Sequence, residues 1–156
     1  MTGEFLEFLI EAKRRTYAAQ GDDASVAPAL PGARQLEHRR GVYLYRDLYF
    51  GLRRFAGQET VDHAGRPVWS MAYAGGIVRR DLAIDEVRSV CAFLREALRQ
   101  VAPDRPYRGP ATCGKPPYAY ACSAKGDLEM FQGAEEISDG LGVVYRLSFA
   151  GGRVDG

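Results

Sequence analysis

The segment FAGQETVDHAGRPVWSMAYAGG at residues 55–76 has a close counterpart in FQGAEEISDGLGVVYRLSFAGG at residues 131–152. Aligned without a gap, the two segments share seven identities over 22 positions, including an F-x-G-x-E start and an AGG end. Conservative pairs, such as Trp69 with Tyr145, recur at the two-residue period of a β-strand. This agreement predicts a duplicated unit, and two unrelated hairpins of similar pattern are the alternative.

Helix and strand patterns surround the two segments in the same order. Residues 3–19 and 83–101 carry apolar side chains at helical spacing, and each stretch precedes one set of strands. Residues 35–50 predict a hairpin that turns at Arg40–Gly41, and Ala64–Gly65 predicts the turn between the next two strands. Three further strands are predicted after the second helix.

The predicted fold is α+β, a two-layer sandwich with a largely antiparallel sheet and two helices on one face. Consecutive strands with short connections pair antiparallel, so the fold is built from a duplicated helix-strand-strand-strand unit. A chain of 156 residues is long enough to bury one core. We therefore expect a single domain over residues 1–156, with pseudo-repeats at roughly 3–78 and 81–154.

Composition and charge argue against several classes of partner. Hydrophobic residues make up 46% of the chain and the formal net charge is +1, which gives no general attraction to nucleic acid or to a membrane surface. No stretch approaches the roughly 20 apolar residues of a membrane span, and the N-terminus lacks the basic start of a signal peptide. The three scattered cysteines do not suggest a disulfide framework, so a cytoplasmic location is expected.

The strands also predict which side chains share a face. On the last strand of each unit, large residues such as Trp69, Met71 and Tyr73 are expected beneath the helices. The strand VYLYRDLYF at residues 42–50 places its tyrosines and Asp47 on one face. We expect that face to join the smaller, more polar side of the sheet as an open, aromatic-walled concave surface.

Glu59 and Glu135 occupy equivalent positions in the repeat, on predicted apolar strand faces. A buried carboxylate is costly unless it is paired, and burial raises its pKa, so the two glutamates are candidates for binding a cation or sharing a proton. Two alternatives remain. A β-bulge at the glycine of F-x-G-x-E would turn each glutamate outward, or each would form a structural salt bridge, for example to Arg46.

Asp47 lies between tyrosines, a pattern that suits a cationic or aromatic organic ligand through charge pairing and cation–π contact. The alternative is a rim aspartate paired with Arg46 or Arg53, with the tyrosines acting as cross-strand pairs and Trp69 as core. The predicted ligand-binding residues are Tyr43, Tyr45, Asp47, Tyr49, Glu59, Trp69, Tyr73 and Glu135.

The sequence predicts no metal and no cofactor. His38 and His63 have no ligand partner at a suitable spacing, and no P-loop or dinucleotide-binding pattern is present. The AGG ends at residues 74–76 and 150–152 are weak candidates for a phosphate cradle. Glycine at the end of a strand more often permits a positive φ or gives the chain a tight exit from the sheet.

Several motifs resemble a bacterial family known only as a domain of unknown function: LPGARQLE (30–37), YRDLYFG (45–51), GQETV (57–61) and GRPVWSMAYAGG (65–76). Members of that family occur alone or behind helix-turn-helix DNA-binding domains in regulators. The resemblance implies no established activity and no catalytic residues. By analogy, it implies a domain that senses a small molecule.

The leading functional hypothesis is therefore a small-molecule-binding domain, acting as an effector sensor, a carrier or a sequestering protein with an aromatic and acidic cleft. A small enzyme of the hydrolase or isomerase type, with Glu59 as general acid or base, is the second hypothesis. A homodimeric interaction module that buries the tyrosine face is the third. No direct contact with nucleic acid or membrane is expected.

Overall fold

The computed structural model describes residues 2–19 and 24–155, which form two α-helices and one nine-stranded antiparallel sheet. The helices are α1 (Gly3–Arg15) and α2 (Ile84–Leu98), and a 3₁₀ turn follows α1 at Tyr17–Ala19. The strands are β1 (Ser25–Val26), β2 (Arg34–Arg40), β3 (Tyr43–Gly51), β4 (Arg54–His63), β5 (Arg66–Ile77), β6 (Thr112–Lys115), β7 (Tyr118–Gly126), β8 (Met130–Asp139) and β9 (Gly142–Arg153). The predicted α+β class, with two helices and an antiparallel sheet, is confirmed.

Each helix begins where the sequence provides a cap. The side chain of Thr2 accepts a hydrogen bond of 3.3 Å from the backbone N–H of Phe5 at the start of α1. At the start of α2, the carboxylate of Glu86 accepts a hydrogen bond of 2.7 Å from the backbone N–H of Ala83. Neither of the two helices in the described chain combines the length and apolar character that crossing a membrane requires.

The strand order is β1-β2-β3-β4-β5-β9-β8-β7-β6. From each edge to the centre, neighbouring strands follow one another in chain order, from β1 to β5 on one side and from β6 to β9 on the other. The bounds of β8 and β9 follow those of β4 and β5 at a constant offset of 76 residues. At the centre, β5 pairs with β9, and Tyr73 lies opposite its own counterpart, Phe149. We call this central β5–β9 pair the seam.

Glycines allow the two central strands to approach closely. Gly75 and Gly76 lie within β5, opposite Leu147 and Arg146, and the strand continues to Ile77. A Cβ atom on Gly75 would lie 2.7 Å from the Cβ of Leu147, and Gly76 has a φ of +136° that favours glycine. Gly75 therefore serves the seam, whereas Gly76, one residue before the end of β5, has the positive φ expected of a glycine at a strand end and packs against Arg53 and Arg54.

Two short strands occur in segments that the sequence predicts as loops. They are the edge strands β1 and β6, of two and four residues. Strands this short show no readable alternation, and Thr112–Lys115 lies in a stretch rich in proline and glycine. The two turns predicted at Gly41 and at Ala64–Gly65 are present, and their φ values of +58°, +51° and +82° are those of tight hairpin turns.

The predicted position of the tyrosine strand is wrong. Tyr45 pairs with Val61, which in turn pairs with Trp69, and directly paired residues point to the same side of a sheet. Tyr43, Tyr45 and Asp47 are buried with Trp69 in the core, so they face the helices. The helices of the same chain cover Tyr43 and Tyr45, and association into a homodimer stays a prediction. The open side carries small residues such as Ala72 and Ala150.

Candidate functional site

Five charged side chains meet in the interior between the sheet and the helices, and each is buried. We call them the buried ionic cluster: Lys13 from α1, Asp47 from β3, Glu59 from β4, Arg108 from the loop after α2, and Glu135 from β8. Charges in such an environment are stable only when they are paired and hydrogen-bonded. The partners of each member therefore decide its role.

Glu135 is fully satisfied. The guanidinium of Arg108 donates two hydrogen bonds to it, of 2.7 and 3.2 Å. The hydroxyls of Tyr120 and Tyr145 donate two more, of 2.6 and 2.8 Å. Burial raises the pKa of Glu135, but the charge of Arg108 and these hydrogen bonds outweigh burial and hold the pKa below its ordinary value. These partners thus favour the charged form of Glu135 and connect β8 to Arg108, β7 and β9.

Glu59 forms an ion pair with Lys13, whose ammonium also donates a hydrogen bond of 2.9 Å to the carbonyl of Tyr107. Arg108 lies 3.8 Å from the other carboxylate oxygen of Glu59. Burial lowers the pKa of Lys13, and the charge of Glu59 partly offsets that effect. The salt-bridge alternative is thus correct for Glu59, but its suggested partner is wrong, because Arg46 pairs with Asp62 at 2.6 Å.

The glycine of the F-x-G-x-E motif makes room for an aromatic ring rather than a bulge. A Cβ atom on Gly57 would lie 2.5 Å from the hydroxyl of Tyr73, and one on Gly133 would lie 2.8 Å from Cε2 of Phe149. The irregularities in register occur later, after Val61 and after Ile137. The bulge alternative is therefore wrong, and both glutamates point inward.

Asp47 lies directly opposite Glu59 on the neighbouring strand and is only 3% exposed. Its carboxylate accepts a hydrogen bond of 2.6 Å from the hydroxyl of Tyr73. Burial and then the charge of Glu59 raise the pKa of Asp47 to about 7, although Tyr73, Arg108 and Lys13 act in the opposite direction. The rim alternative is wrong, since Arg53 instead donates to the carbonyl of Leu82.

The two halves of the sheet differ at the positions around Asp47. Cys122 lies opposite Glu135 as Asp47 lies opposite Glu59. Phe149 occupies in the second half the position that Tyr73 occupies in the first. The first half therefore has a carboxyl and its hydroxyl donor where the second half has a thiol and a phenyl ring.

The charges of the cluster do not balance. Two cations, Lys13 and Arg108, face three carboxylates, Asp47, Glu59 and Glu135. Glu59 and Glu135 each have a cationic partner at hydrogen-bonding distance, whereas Asp47 has the neutral hydroxyl of Tyr73. A net negative charge in the interior is unfavourable. Balance is reached when Asp47 holds a proton or when a further cation lies beside it.

Asp47 is reached through two adjoining cavities, which share Tyr17, Asp47 and Arg108 among their lining residues. The inner cavity, of about 20 Å³, lies toward Lys13, Tyr45 and Glu59 and has room for a water molecule. The outer cavity, of about 60 Å³, extends past Tyr73 to the exposed side chains of Arg34 and Leu52. The outer residues Tyr17, Arg34, Tyr49 and Arg95 also line an open groove of about 700 Å³.

The other predicted site residues divide between the cavities and the core. Tyr45 lines the inner cavity, and Tyr49 lines the outer cavity and the groove. Trp69 is core, stacked on Phe131 at a centroid distance of 5.8 Å beneath Lys13. Tyr43 packs against the two phenylalanines of α1 that face it, away from the cluster.

Sequence reasoning missed Lys13 and Arg108. Lys13 follows Leu9 by four residues on the apolar stripe of α1, and a cation in such a stripe is a signal for a buried partner. Arg108 lies in a loop rich in proline and glycine, where no periodic pattern indicates burial. Residues 2–19 and 24–155 contain no group of three or more His, Cys, Asp and Glu side chains arranged to hold a metal ion.

Comparison with known proteins identifies the family of the chain. No curated protein and no solved structure matches it. A family model described as "Domain of unknown function (DUF5680)" matches residues 47–154. The matched span includes four members of the buried ionic cluster, Asp47, Glu59, Arg108 and Glu135, and leaves Lys13 outside. Since the span covers most of the chain, the protein belongs to the DUF5680 family of domains of unknown function.

Proposed function

We propose that the chain is a small-molecule-binding domain, acting as an effector sensor, a carrier or a sequestering protein, and that its ligand places a cationic group beside Asp47. The observation that carries the proposal is the third carboxylate of the buried ionic cluster. Asp47 has no cationic partner of its own at hydrogen-bonding distance among the described residues, and it lines a cavity that extends to exposed side chains.

A ligand cation stabilises the charged form of Asp47 in the way that Lys13 stabilises Glu59. Charge-assisted hydrogen bonds are about twice as strong as neutral ones, and they are stronger still where water is excluded. Aromatic rings surround the approach, since Tyr17, Tyr49, Phe55 and Tyr73 all line the outer cavity. Their faces attract a cation as it loses its hydration shell.

The size of the cavities restricts what enters. A volume of about 60 Å³ accepts a small head group, such as a primary ammonium, and leaves the rest of an organic molecule in the groove outside. The preferred ligand is therefore an amine with a small charged end and a larger body. Bulky quaternary ammonium compounds are poor candidates because the outer cavity is narrow.

Calorimetric titration with a series of primary alkylamines and guanidines tests the proposal. We expect saturable binding to the wild-type protein and a loss of about tenfold or more in affinity for Asp47→Asn, which keeps the shape but removes the charge. The matched control is Glu136→Gln, which removes one carboxylate charge on an exposed pair with Arg146. Absence of binding by every cation, or equal binding by Asp47→Asn, would refute the proposal.

A second candidate is an enzyme in which Asp47 acts as general acid or base. A pKa of about 7 suits proton transfer at neutral pH. Glu59, the catalytic residue suggested from the sequence, is less suited because its carboxylate is engaged by Lys13. Mass spectrometry of a bound amine after incubation separates the two functions: unchanged ligand supports a binding domain, and a converted product supports an enzyme.

The proposal also includes an origin of the fold by duplication and a cytoplasmic location of the protein. The constant offset of 76 residues and the register of Tyr73 against Phe149 support an origin of the two halves by duplication. A cytoplasmic location agrees with Cys91, Cys113 and Cys122, which are free thiols.

A further inference from the structure

We infer that the ligand carries a neutral oxygen, a hydroxyl or a carbonyl, on the carbon next to the one that bears its cationic group, and that Nη1 of Arg108 donates a hydrogen bond to this oxygen. The inference rests on the proposed function and names the ligand class of the same site. It follows from the hydrogen bonds that Arg108 makes and from the donors that it leaves open.

Arg108 uses one edge of its guanidinium and leaves the other end without an acceptor. Nε and Nη2 donate to the carboxylate of Glu135, at 3.2 and 2.7 Å. Nη1 lies 3.8 Å from Oε1 of Glu59, beyond the length of a hydrogen bond. Both N–H groups of Nη1 therefore lack an acceptor among the described residues, in a side chain that is only 7% exposed.

Arg108 is held firmly in this position. Its Cζ lies 5.3 Å from the centroid of the Tyr73 ring. The next residue in the loop, Gly109, donates a backbone hydrogen bond of 3.1 Å to the hydroxyl of Tyr120, which in turn donates to Glu135. A donor fixed in this way loses little conformational freedom when a ligand binds, so little of the strength of the new hydrogen bond is lost to ordering.

Arg108 and Asp47 face the same space. Both line the inner cavity and the outer cavity. They also contact one ring, since Arg108 lies over Tyr73 and the hydroxyl of Tyr73 donates to Oδ1 of Asp47. Oδ2 of Asp47 receives no hydrogen bond from a described residue, so it is open to the ligand cation. The cavities, of about 20 and 60 Å³, hold one small head group, which places the cation and the oxygen of the ligand on neighbouring carbon atoms.

Charge balance requires that the oxygen is neutral. With a ligand cation beside Asp47, the buried ionic cluster has positive charges on Lys13, on Arg108 and on the ligand, against its three carboxylates. A carboxylate on the ligand beside Arg108 would again leave an unbalanced negative charge in the interior. A hydroxyl or a carbonyl accepts from Nη1 without that cost.

A plain alkylamine does not satisfy this donor. In the ligand-free protein, the inner cavity has room for a water molecule that accepts from Nη1. A hydrocarbon group that displaces the water without replacing its hydrogen bond loses affinity, whereas an oxygen at the same place keeps it. Because hydrogen bonds to a charged group are among the stronger ones, we expect a difference of about tenfold in affinity.

Four compounds with one carbon skeleton test the inference by calorimetry: 2-aminohexane, norleucinol, norleucinamide and norleucine. All carry the ammonium on the same carbon, and the neighbouring carbon bears no oxygen, a hydroxyl, an amide carbonyl or a carboxylate, respectively. We expect norleucinol, norleucinamide or both to bind about tenfold more tightly than 2-aminohexane, and norleucine to bind no more tightly than 2-aminohexane. The ratio of the affinities for the alcohol and the amide identifies which oxygen the site prefers.

A variant and a spectroscopic readout assign the gain to Arg108. Arg108→Lys keeps a positive charge for Glu135 but removes Nη1, so it is expected to abolish the advantage of the neutral oxygen compounds over 2-aminohexane. Arg146→Lys, the same substitution in an exposed pair with Glu136, is the control and should keep that advantage. Nitrogen-15 NMR of the wild-type protein needs no variant: norleucinol should shift the guanidinium resonances of Arg108, and 2-aminohexane should shift them much less.

The outcomes separate the inference from the function on which it rests. If 2-aminohexane binds and neither the alcohol nor the amide binds more tightly, the oxygen contact is refuted while the cation site stands. If they bind more tightly but Arg108→Lys keeps the advantage, or if both ligands shift Arg108 equally, Arg108 is refuted as the donor. If norleucine gains as much as the neutral compounds, the requirement for a neutral oxygen is refuted. If none of the four binds, the inference fails, and the alkylamine series decides separately whether the proposed function fails with it.

Discussion

At the scale of single residues, Asp47 should control how stability changes with pH. Its pKa in the folded protein, about 7, lies above the ordinary value of 3.8. The folded state therefore holds a proton that the unfolded chain releases, so this group lowers the free energy of unfolding as pH rises from about 4 to about 7. The loss amounts to about 1.4 kcal/mol for each pH unit within that window.

Asp47→Asn removes that dependence. We expect the variant to gain stability over the wild type progressively between about pH 4 and pH 7 and to keep a constant advantage above that range. Urea unfolding followed by circular dichroism at several pH values measures the difference. Glu136→Gln is the control, since Glu136 lies at the surface beside Arg146. Parallel profiles for Asp47→Asn and the wild type would contradict the expected protonation of Asp47.

A second prediction at this scale concerns the pair of Lys13 and Glu59. Lys13→Met leaves Glu59 as a buried carboxylate without its main partner and should cost about 3–5 kcal/mol in the free energy of unfolding. The double variant Lys13→Met with Glu59→Gln should recover much of that loss, because the unpaired charge is removed. Lys115→Met, which breaks an exposed pair with Glu96, should cost no more than about 1 kcal/mol. Additive losses in the double variant would contradict the pairing.

At the scale of elements, Gly57 in β4 and Gly133 in β8 leave room for an aromatic ring of the neighbouring strand, which is Tyr73 in β5 or Phe149 in β9. Alanine at Gly57 would also place its Cβ 2.7 Å from the backbone carbonyl of Leu48, which cannot move aside. We expect Gly57→Ala and Gly133→Ala each to destabilise the fold by about 1–3 kcal/mol. Gly140→Ala should be nearly neutral, because nothing lies within 4 Å of its Cβ position.

A smaller ring partner tests the cause of that loss. Phe149→Leu should reduce the cost of Gly133→Ala, so the double variant is less unstable than the sum of the two single variants. Thermal unfolding of the four proteins completes the cycle. Additivity would mean that the glycine serves the backbone alone.

The sequence predicts the elements well, because helical and strand periods are local properties of the chain. It does not predict which face of β3 is covered, since Tyr43, Tyr45 and Tyr49 suit either a core or a surface. The choice depends on contacts with α1, which are remote in sequence. Glu59 and Glu135 were found as a pair because they repeat, whereas Arg108 occurs once, in a loop, and its burial follows only from the folded structure.

At the scale of the whole molecule, the two halves should differ in their capacity to stand alone. The second half contains both Arg108 and Glu135, whose charges balance. Its strand β9 pairs with β5 in the intact chain, so in the separate fragment that edge of β9 is available for pairing. The first half contains two carboxylates of the buried ionic cluster, Asp47 and Glu59, but one of its cations, Lys13. We expect a fragment of residues 81–156 to form a symmetric dimer through β9, and residues 1–80 to remain unstable until the second fragment is added. Light scattering and circular dichroism on the separate and mixed fragments measure this.

The control for the fragments is a substitution within the seam. Gly151→Val should prevent self-association of the second fragment, because a Cβ atom there would lie 2.7 Å from the Cα of the strand opposite in the intact chain. If the first fragment instead forms the more stable dimer, the balance of charges does not govern association of the halves.

The pairing of Tyr73 with Phe149 across the seam has a consequence for how the protein can change over time. Because both halves belong to one chain, a substitution in one half leaves the equivalent position of the other half unchanged. A symmetric dimer of identical chains would carry either two aspartates or two cysteines at the positions of Asp47 and Cys122. In the single chain the two positions differ. The second half has Cys122 beside a carboxylate that Arg108 neutralises, whereas the first half has Asp47, a carboxylate without a cationic partner at hydrogen-bonding distance among the described residues.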